Sequence, residues 1–233
     1  MKIGIIVFPG SNCDHDAEYA FKDVLGCDVK MIWHKSHDLE GADMIFLPGG
    51  FSYGDYLRSG SMASHSPVMK DVIEFANQGR PVMGVCNGFQ VLTESHLLPG
   101  ALLRNTHLKF ACKMTTLRVE TEKSIFTQNM NKGALLEIPI AHGEGNYYAD
   151  VDVINALEDN GQVVFRYADS KGNITEDVNP NGSINNIAGI MNKKGNVLGM
   201  MPHPERAVAH ELGSADGVHI LKSLIEHGLE IVG

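Results

Sequence analysis

The sequence predicts an α/β protein with a doubly wound, mostly parallel sheet. The chain has 233 residues, which is enough to bury a large core. In the first 100 residues, short and continuously apolar runs alternate with helical patterns, as expected for strands buried on both faces of a parallel sheet. Strand-like runs then follow one another, which predicts an antiparallel extension of the same sheet. No linker or repeat interrupts the chain, so we expect a single domain over residues 1–233.

The first strand and the first helix have clear local signals. Apolar residues at 2–8 predict a buried strand. Ser11, Asn12 and Asp14 are candidate N-caps of the following helix, which Gly26 ends. Further strands are predicted at residues 28–33, 43–47, 81–85, 111–120, 135–141, 162–168, 187–191 and 197–201. Further helices are predicted at residues 67–77, 151–159 and 216–226, with a loop from the third strand to about residue 61.

Charge and composition exclude several classes of protein. Asp and Glu total 28 against 19 Lys and Arg, a net charge of −9, which has the wrong sign for gripping nucleic acid or an anionic membrane. No apolar run approaches the roughly 18 residues of a membrane span, and the opening run is too short for a signal peptide. The four cysteines form no C-x-x-C pair, so neither a zinc knuckle nor a redox dithiol is expected. We therefore expect a cytoplasmic protein with reduced thiols.

The sequence around Cys86 has the spacing of a nucleophile elbow. Cys86 lies between a predicted strand and a predicted helix, in the frame Gly84-x-Cys86-x-Gly88. A sharp strand-to-helix turn needs small residues at these flanking positions, because the backbone passes close to its neighbours there. Such a turn exposes the sulfur at the carboxyl edge of the sheet and at a helix N-terminus, which favours the thiolate. Taken alone, the motif fits a buried cysteine at a strand end equally well.

A second motif, Met201-Pro-His-Pro-Glu-Arg206, carries a histidine and a carboxylate two residues apart. Pro204 favours extended backbone at His203, and alternation along an extended chain puts His203 and Glu205 on one side. A carboxylate beside an imidazole holds its tautomer and stabilises the imidazolium, the orienting role in a catalytic triad. If the sequence contained no candidate nucleophile, a surface turn would be the better interpretation of this motif.

The glycine-rich segment Leu47-Pro-Gly-Gly-Phe-Ser-Tyr-Gly-Asp55 follows another predicted central strand. An oxyanion hole in this geometry takes one N–H from the residue after the nucleophile and one from a neighbouring strand-end loop. We expect these donors to be Asn87 and Gly50. The segment lacks the Lys-Ser/Thr ending of a nucleotide P-loop.

Two other groups of residues are less informative. Cys13-Asp-His-Asp16, with His34 and His37, could supply metal ligands, but the nearby sequence offers no complementary pair at zinc spacing. We therefore expect no metal site. The segment Ala141-His-Gly-Glu-Gly145 follows a strand and fits a plain loop or a substrate-facing loop equally well.

Taken in order, these motifs resemble those of the class I glutamine amidotransferases, whose signature is a cysteine elbow followed far downstream by His-x-Glu. The segments at residues 8–14, 49–55, 84–90, 141–145 and 201–207 resemble in particular the glutaminase subunits of phosphoribosylformylglycinamidine synthases, in purine biosynthesis. The resemblance spans nearly the whole chain. It implies a flavodoxin-like, mostly parallel sheet with an antiparallel extension. Ser59 departs from the pattern, because the family more often has a small apolar residue there.

The resemblance implies a Cys-His-Glu triad that hydrolyses L-glutamine to glutamate and ammonia. Cys86 would be the nucleophile, His203 the general acid and base, and Glu205 the group that orients His203. The oxyanion donors and substrate contacts that it implies are Gly50, Phe51, Asn87, Gly88, Gln90 and His142.

The resemblance also implies a division of labour between chains. This chain has no ATP-binding signature, so we expect no cofactor in it. ATP and magnesium would bind a separate synthetase subunit (PurL), which would use the ammonia to convert formylglycinamide ribonucleotide to formylglycinamidine ribonucleotide. A small subunit (PurS) would complete the assembly, and neither nucleic acid nor a membrane is expected as a partner.

Two rival interpretations stay open at the level of sequence. One is a cysteine hydrolase of the broader fold group, which shares the elbow cysteine but usually lacks His-x-Glu at this place. The other is a non-enzymatic, flavodoxin-like binding module in which Cys86, His203 and Glu205 are idle.

Overall fold

A computed structural model describes residues 1–228 of the chain. Its strands are β1 Lys2–Val7, β2 Asp28–Trp33, β3 Met44–Leu47, β4 Val82–Val85, β5 Ala101–Leu103, β6 Ala111–Val119, β7 Leu135–His142, β8 Asn146–Tyr148, β9 Val163–Ala168, β10 Ile187–Met191 and β11 Val197–Met200. Its α-helices are α1 Asp14–Glu18, α2 Ser61–Ser64, α3 Pro67–Asn77, α4 Asn87–Glu94, α5 Val151–Asp159 and α6 Gly217–His227. A π-helical stretch, Tyr19–Val24, continues α1.

A nine-stranded sheet forms the centre of the molecule, in the order β2-β1-β3-β4-β11-β10-β9-β6-β7. The pairs from β2 to β11 are parallel, and those from β11 to β7 are antiparallel. The predicted α/β class, with a parallel sheet and an antiparallel extension, is confirmed. A separate two-stranded sheet pairs β5 with β8.

The central strands are buried on both faces, as expected for a parallel sheet in an α/β protein. Every residue of β3, β4 and β11 is buried. Helix α3 buries its apolar positions at helical spacing, Val68, Met69, Val72, Phe75 and Ala76. The core is thus built from the continuously apolar runs that the sequence shows.

Three local predictions were wrong. Strand β2 has the predicted bounds, but it lies at the edge of the sheet and only Ile32 in it is buried, so the expected burial on both faces was wrong for this strand. The first helix is preceded by Cys13, whose side chain makes no capping hydrogen bond, so neither Ser11, Asn12 nor Asp14 is its N-cap. The short elements β5, β8 and α2 were missed, because segments of three or four residues carry no readable period.

All four cysteines are free thiols. Among residues 1–228, no helix is both long and apolar enough to cross a membrane. The single-domain prediction over residues 1–233 includes 229–233, which lie outside the described part of the chain, and it stays a prediction.

Candidate active site

Cys86 occupies the turn between β4 and α4 with strained backbone. Its φ is 51° and its ψ is −106°, a conformation that costs a non-glycine residue on the order of 1–3 kcal/mol. The flanking glycines permit this turn. A methyl group on Gly84 would lie 2.6 Å from Gly88 O, and one on Gly88 would overlap Leu47 O of β3. The geometry of a nucleophile elbow is therefore present. Gly84 and Gly88 are glycines because a larger side chain at either position would clash with neighbouring backbone.

Parallel pairing brings the second motif to the same place. Strands β4 and β11 are parallel neighbours, so their carboxyl ends meet at one edge of the sheet, where the Cys86 N–H donates to Met200 O at 2.8 Å. His203 follows shortly after β11, and its N–H donates to Pro139 O of β7 at 2.8 Å. Residues more than a hundred positions apart in sequence thus lie at one site.

His203 and Glu205 form a buried pair, with 2.6 Å between Nδ1 and Oε1. The chain does not reach this pairing by alternation along a strand, because Pro204–Arg206 is a turn of 3₁₀-helix. The sequence analysis therefore predicted the contact correctly and its backbone wrongly. His203 Nε2 and Glu205 Oε2 are buried and have no hydrogen-bond partner among the described residues.

Charge controls the protonation of His203. Burial alone would lower its pKa, but the adjacent Glu205 carboxylate and Cys86 raise it well above the ordinary value. In this structure the Cys86 thiol donates to Ala141 O at 3.6 Å rather than to His203. Hydrogen bonds of catalytic groups are often not yet formed before substrate binds.

Gly49 lies where Cys86, His203 and a second cysteine converge. A methyl group on Gly49 would lie 2.6 Å from His203 Cε1, 3.3 Å from Cys13 Sγ and 3.4 Å from Cys86 Cβ. The site has no room for a side chain at this position. Sequence analysis did not place Cys13 here, because its neighbours in space are distant in sequence.

The two expected oxyanion donors are free to bind an acceptor. Neither the Gly50 N–H nor the Asn87 N–H has an acceptor among the described residues, and the latter is at the first turn of α4, where helical N–H groups lack partners. Gly50 has a φ of 142°, and a side chain there would meet Asn12 N at 2.6 Å. The preceding carbonyl, Gly49 O, accepts the N–H groups of Asn12 and Cys13, both at 3.2 Å.

A cavity of about 210 Å³ opens beside Cys86. Among the predicted site residues, those that line it are Gly50, Phe51, Cys86, Gln90 and His142. Asn87, Gly88, His203 and Glu205 do not line it. Gly88 packs against Leu47 of β3, and its role as a substrate contact stays a prediction.

The side chains of Asn87 and Gln90 form hydrogen bonds that connect α4 to the loops around this cavity. Asn87 Nδ2 donates to Gln90 Oε1 at 2.8 Å, and Gln90 Nε2 donates to Glu144 O at 2.7 Å. Asn87 Oδ1 accepts the Ser52 N–H at 3.2 Å. The helix that follows Cys86 is thereby tied to both loops that border the cavity.

His142 is a neutral, buried donor at the cavity wall. Asn181 Nδ2 donates to His142 Nε2 at 3.0 Å, so the ring proton is on Nδ1, which has no partner among the described residues. Burial lowers the pKa of His142 to about 3, and His203 acts in the same direction. Of the two interpretations left open for residues 141–145, the cavity-facing loop is therefore the one that the structure supports.

Two buried asparagines that the sequence analysis missed hold this loop. Asn105 Oδ1 accepts the Gly145 N–H at 3.1 Å and Asn105 Nδ2 donates to His142 O at 2.9 Å. Asn181 Nδ2 also donates to Gly145 O at 2.8 Å. Asn181 lies in the turn-rich segment Asn179-Pro-Asn-Gly-Ser183 and Asn105 lies in a polar loop, so neither is distinguished from an ordinary loop residue by its local sequence.

Charged side chains of both signs line the cavity. The carboxylates are the half-buried Asp55 and Glu144, and the cations are the exposed Arg104 and Lys109. Burial raises the pKa of Asp55 to about 6, and the nearby Glu144 acts in the same direction. Ser59, the residue that departs from the family pattern, donates to Glu144 Oε2 at 2.8 Å. The sequence analysis did not assign these charges to the site.

Residues 1–216 match the family of CobB/CobQ-like glutamine amidotransferase domains. The chain therefore belongs to the glutamine amidotransferases, as the elbow cysteine and the His-x-Glu motif predict.

Curated relatives carry a more specific name. The phosphoribosylformylglycinamidine synthase subunit PurQ of Chlorobaculum parvum is 60% identical over 227 residues, which cover 97% of this chain and 90% of the relative. The PurQ subunit of Koribacter versatilis is 56% identical over 225 residues, which cover 97% of each chain. A solved structure of PurLQS from Thermotoga maritima matches with a TM-score of 0.86 and 40% identity over 97% of this chain and 98% of that chain. The predicted subfamily resemblance is confirmed.

Proposed function

We propose that the chain is the glutaminase subunit of a phosphoribosylformylglycinamidine synthase. It hydrolyses the side-chain amide of L-glutamine and supplies ammonia to a separate ATP-dependent synthetase subunit. That subunit converts formylglycinamide ribonucleotide to formylglycinamidine ribonucleotide in purine biosynthesis. The observation that supports this most directly is the strained Cys86 beside the buried His203–Glu205 pair, at the floor of a cavity lined by charges.

The first chemical step is attack of the Cys86 sulfur on the side-chain amide carbon of glutamine. His203, held by Glu205, has a raised pKa, and an imidazolium stabilises the attacking thiolate. Negative charge develops on the amide oxygen and is stabilised by the free N–H groups of Gly50 and Asn87. His203 then donates its proton to the departing ammonia.

The second step hydrolyses the glutamyl thioester on Cys86. After ammonia has left, neutral His203 takes a proton from water, and the hydroxide equivalent attacks the thioester carbon. The same two N–H donors stabilise the second oxyanion. Glutamate leaves, Cys86 recovers its thiolate, and His203 recovers its proton, so the cycle closes without a cofactor in this chain.

The charges of the cavity fit the amino-acid end of the substrate. Glutamine has an ammonium group and a carboxylate on its α-carbon, and the cavity carries carboxylates at Asp55 and Glu144 and cations at Arg104 and Lys109. We assign the ammonium group to Asp55, which accepts a long hydrogen bond from Asn87 Nδ2 at 3.4 Å and, in the described part of the chain, is not paired with a cation as Glu144 is. Glu144 is held by Ser59 and lies 3.5 Å from Arg104 Nε.

The partners that we propose are an ATP-dependent synthetase subunit like PurL and a small subunit like PurS. This is supported by the solved structure of PurLQS from Thermotoga maritima, to which the related chain belongs. ATP and magnesium are assigned to the synthetase. We place the reaction in the cytoplasm, a proposal supported by four thiols without a disulfide.

The direct test of the proposal is removal of the nucleophile. Cys86→Ala is expected to abolish glutamate release from glutamine by the assembled complex, a loss of several orders of magnitude. Cys27→Ala and Cys112→Ala are matched controls that remove a thiol outside the site and should leave turnover unchanged. Cys13→Ala should also keep measurable turnover, because Cys13 has no step in the reaction. A comparable loss in a folded control variant would refute the assignment of Cys86.

A labelling experiment separates the two rival interpretations. A glutamine-mimicking electrophile should modify one cysteine per chain, Cys86, as read by intact mass and peptide mapping. Absence of labelling would support the idle binding module. Labelling that glutamine does not prevent would support a cysteine hydrolase with another substrate.

A further inference from the structure

Cys13 lies in the active site but has no role in the mechanism above. Its side chain is buried, and its backbone N–H donates to Gly49 O at 3.2 Å. This bond ties the start of α1 to the loop after β3 and directs the thiol toward His203. Burial raises the pKa of Cys13, so its resting form is the neutral thiol.

Three ligand atoms of the kinds that bind thiophilic metals converge here. Cys13 Sγ, a ring nitrogen of His203 and a carboxylate oxygen of Glu205 all lie within 4.8 Å of one another, and all three residues are buried. Two of the polar atoms, His203 Nε2 and Glu205 Oε2, have no hydrogen-bond partner among residues 1–228. Glu205 Oε2 therefore offers lone pairs that no described protein group uses, whereas a ring nitrogen of His203 must first lose its proton.

We propose that Cys13, His203 and Glu205 form an inhibitory binding site for zinc or another thiophilic divalent cation. One sulfur, one nitrogen and one oxygen ligand suit zinc, and a water molecule completes the tetrahedron. Zinc–ligand distances of about 2.0–2.3 Å place the ligand atoms roughly 3.3–3.6 Å apart. The side chains reach that spacing by movements on the order of 1 Å. The sequence analysis expected no metal site because it compared only residues near Cys13 in the chain.

Metal binding and catalysis exclude each other at this site. The cation displaces the thiol proton of Cys13 and the proton on the ring nitrogen of His203 that it binds, and both protons pass to solvent. A metal-bound His203 no longer gives a proton to ammonia or takes one from water. Cys86 is not a ligand, because its thiol is bonded to Ala141 O and it lies outside the group of three.

A second cavity lies beside Glu205, on the side away from Cys86. It has a volume of about 420 Å³ and is lined by Glu205 together with Asp16, Cys112 and Arg206. None of its lining residues lines the cavity beside Cys86. The Glu205 side chain has no exposed surface, so a cation in this cavity reaches the carboxylate only when the structure around Glu205 opens.

The test is titration of the purified, reduced chain with cobalt(II), whose thiolate complexes absorb light and report tetrahedral geometry. Wild type should bind one equivalent with a sulfur-to-cobalt band that zinc displaces. Cys13→Ser should lose the band and bind at least about tenfold more weakly. Cys27→Ser, Cys112→Ser and Cys86→Ser should each keep the band. In the assembled complex, zinc should inhibit wild type reversibly with a chelator and inhibit the Cys13→Ser variant at least about tenfold less.

Several outcomes would overturn the proposal. An unchanged band in Cys13→Ser means that another thiol holds the metal, and loss of the band in Cys86→Ser or Cys112→Ser identifies that thiol. If circular dichroism shows that Cys13→Ser is unfolded, Glu205→Gln replaces it, with the same expected tenfold loss of affinity. The cobalt readout requires no glutamine turnover, so this proposal and the proposed function can fail independently.

Discussion

The members of the proposed triad carry unequal shares of the chemistry. His203 transfers protons in both steps, whereas Glu205 holds its ring at 2.6 Å and stabilises its charge. His203→Ala should therefore lower turnover roughly 50- to 100-fold more than Glu205→Gln does. Thioester formation and steady-state turnover of both variants measure this, with circular dichroism to show that both are folded. Equal losses would give Glu205 a direct chemical role.

Asp55 predicts a pH dependence of glutamine binding. Its pKa of about 6 means that the carboxyl is ionised at neutral pH and protonated in mild acid. If Asp55 binds the substrate ammonium, KM should rise as the pH falls below about 6, while kcat depends on other groups. KM measured from about pH 5 to about pH 8 should show this rise in wild type. The Asp55→Asn variant should have a higher KM that does not change over this range, and a parallel rise in both proteins would exclude Asp55.

The same residue predicts a change in stability with pH. The folded protein binds the Asp55 proton more tightly than the unfolded chain does, because the pKa is raised from 3.8 to about 6. Ionisation of Asp55 therefore opposes folding, and the penalty grows as the pH rises through this window. Asp55 is half-buried and screened by solvent, so we expect Asp55→Asn to raise the free energy of unfolding at pH 8 by only about 1 kcal/mol. Urea unfolding should show little gain near pH 4.

Sequence reasoning predicted the residues with sharp local chemistry and missed those defined by distant contacts. The flanking glycines indicate that Cys86 is a nucleophile at a sharp turn. The two-residue spacing of His203 and Glu205 indicates that they interact. Asn181 gives no such signal, because its importance arises only when it meets His142 in space. Cys13 is the clearest case, since His203 is its neighbour only in the folded chain.

At the scale of elements, the elbow requires a close approach of α4 to β3. A methyl group on Gly88 would overlap Leu47 O, and neither backbone segment can yield easily. Gly88→Ala should lower the free energy of unfolding by about 2–3 kcal/mol and reduce turnover, because the displaced helix carries Asn87 and follows Cys86. Gly143→Ala is the control: its methyl group would lie 3.7 Å from Phe110 Cδ2, an ordinary contact, so stability should change by less than about 0.5 kcal/mol. Similar unfolding curves for the two variants would contradict this account of the elbow.

The central strands were predictable from the sequence because a strand that is buried on both faces consists almost entirely of apolar residues. Strand β3 is Met-Ile-Phe-Leu and is fully buried, so its apolar run marks it without reference to its neighbours. Within residues 1–228, strands β5 and β8 pair only with each other, and each has three residues. Their signal is too short to separate from that of a loop.

At the scale of the whole molecule, the order of strands determines which motifs meet. The sequence shows that β4 and β11 are strands but not that they are neighbours, since pairs so far apart in the chain are selected by packing of the complete sheet. Once they pair in parallel, the groups that follow them share one edge. The triad is thus a property of the topology as much as of the motifs.

The assembly provides the test of the division of labour that we propose. If this chain only produces ammonia, the synthetase subunit should accept ammonia from any source. Cys86→Ala, assembled with its synthetase and small subunit, should therefore be inactive with glutamine but form amidine when an ammonium salt is supplied at raised pH, where free ammonia is abundant. Its rate with ammonium should match that of the wild-type complex, because the substitution removes one sulfur atom from a site that takes no part in ATP chemistry. Product formation by mass spectrometry and ADP release measure the two halves of the reaction. A Cys86→Ala complex that assembles but cannot use ammonium would mean that this chain contributes to the synthetase reaction itself.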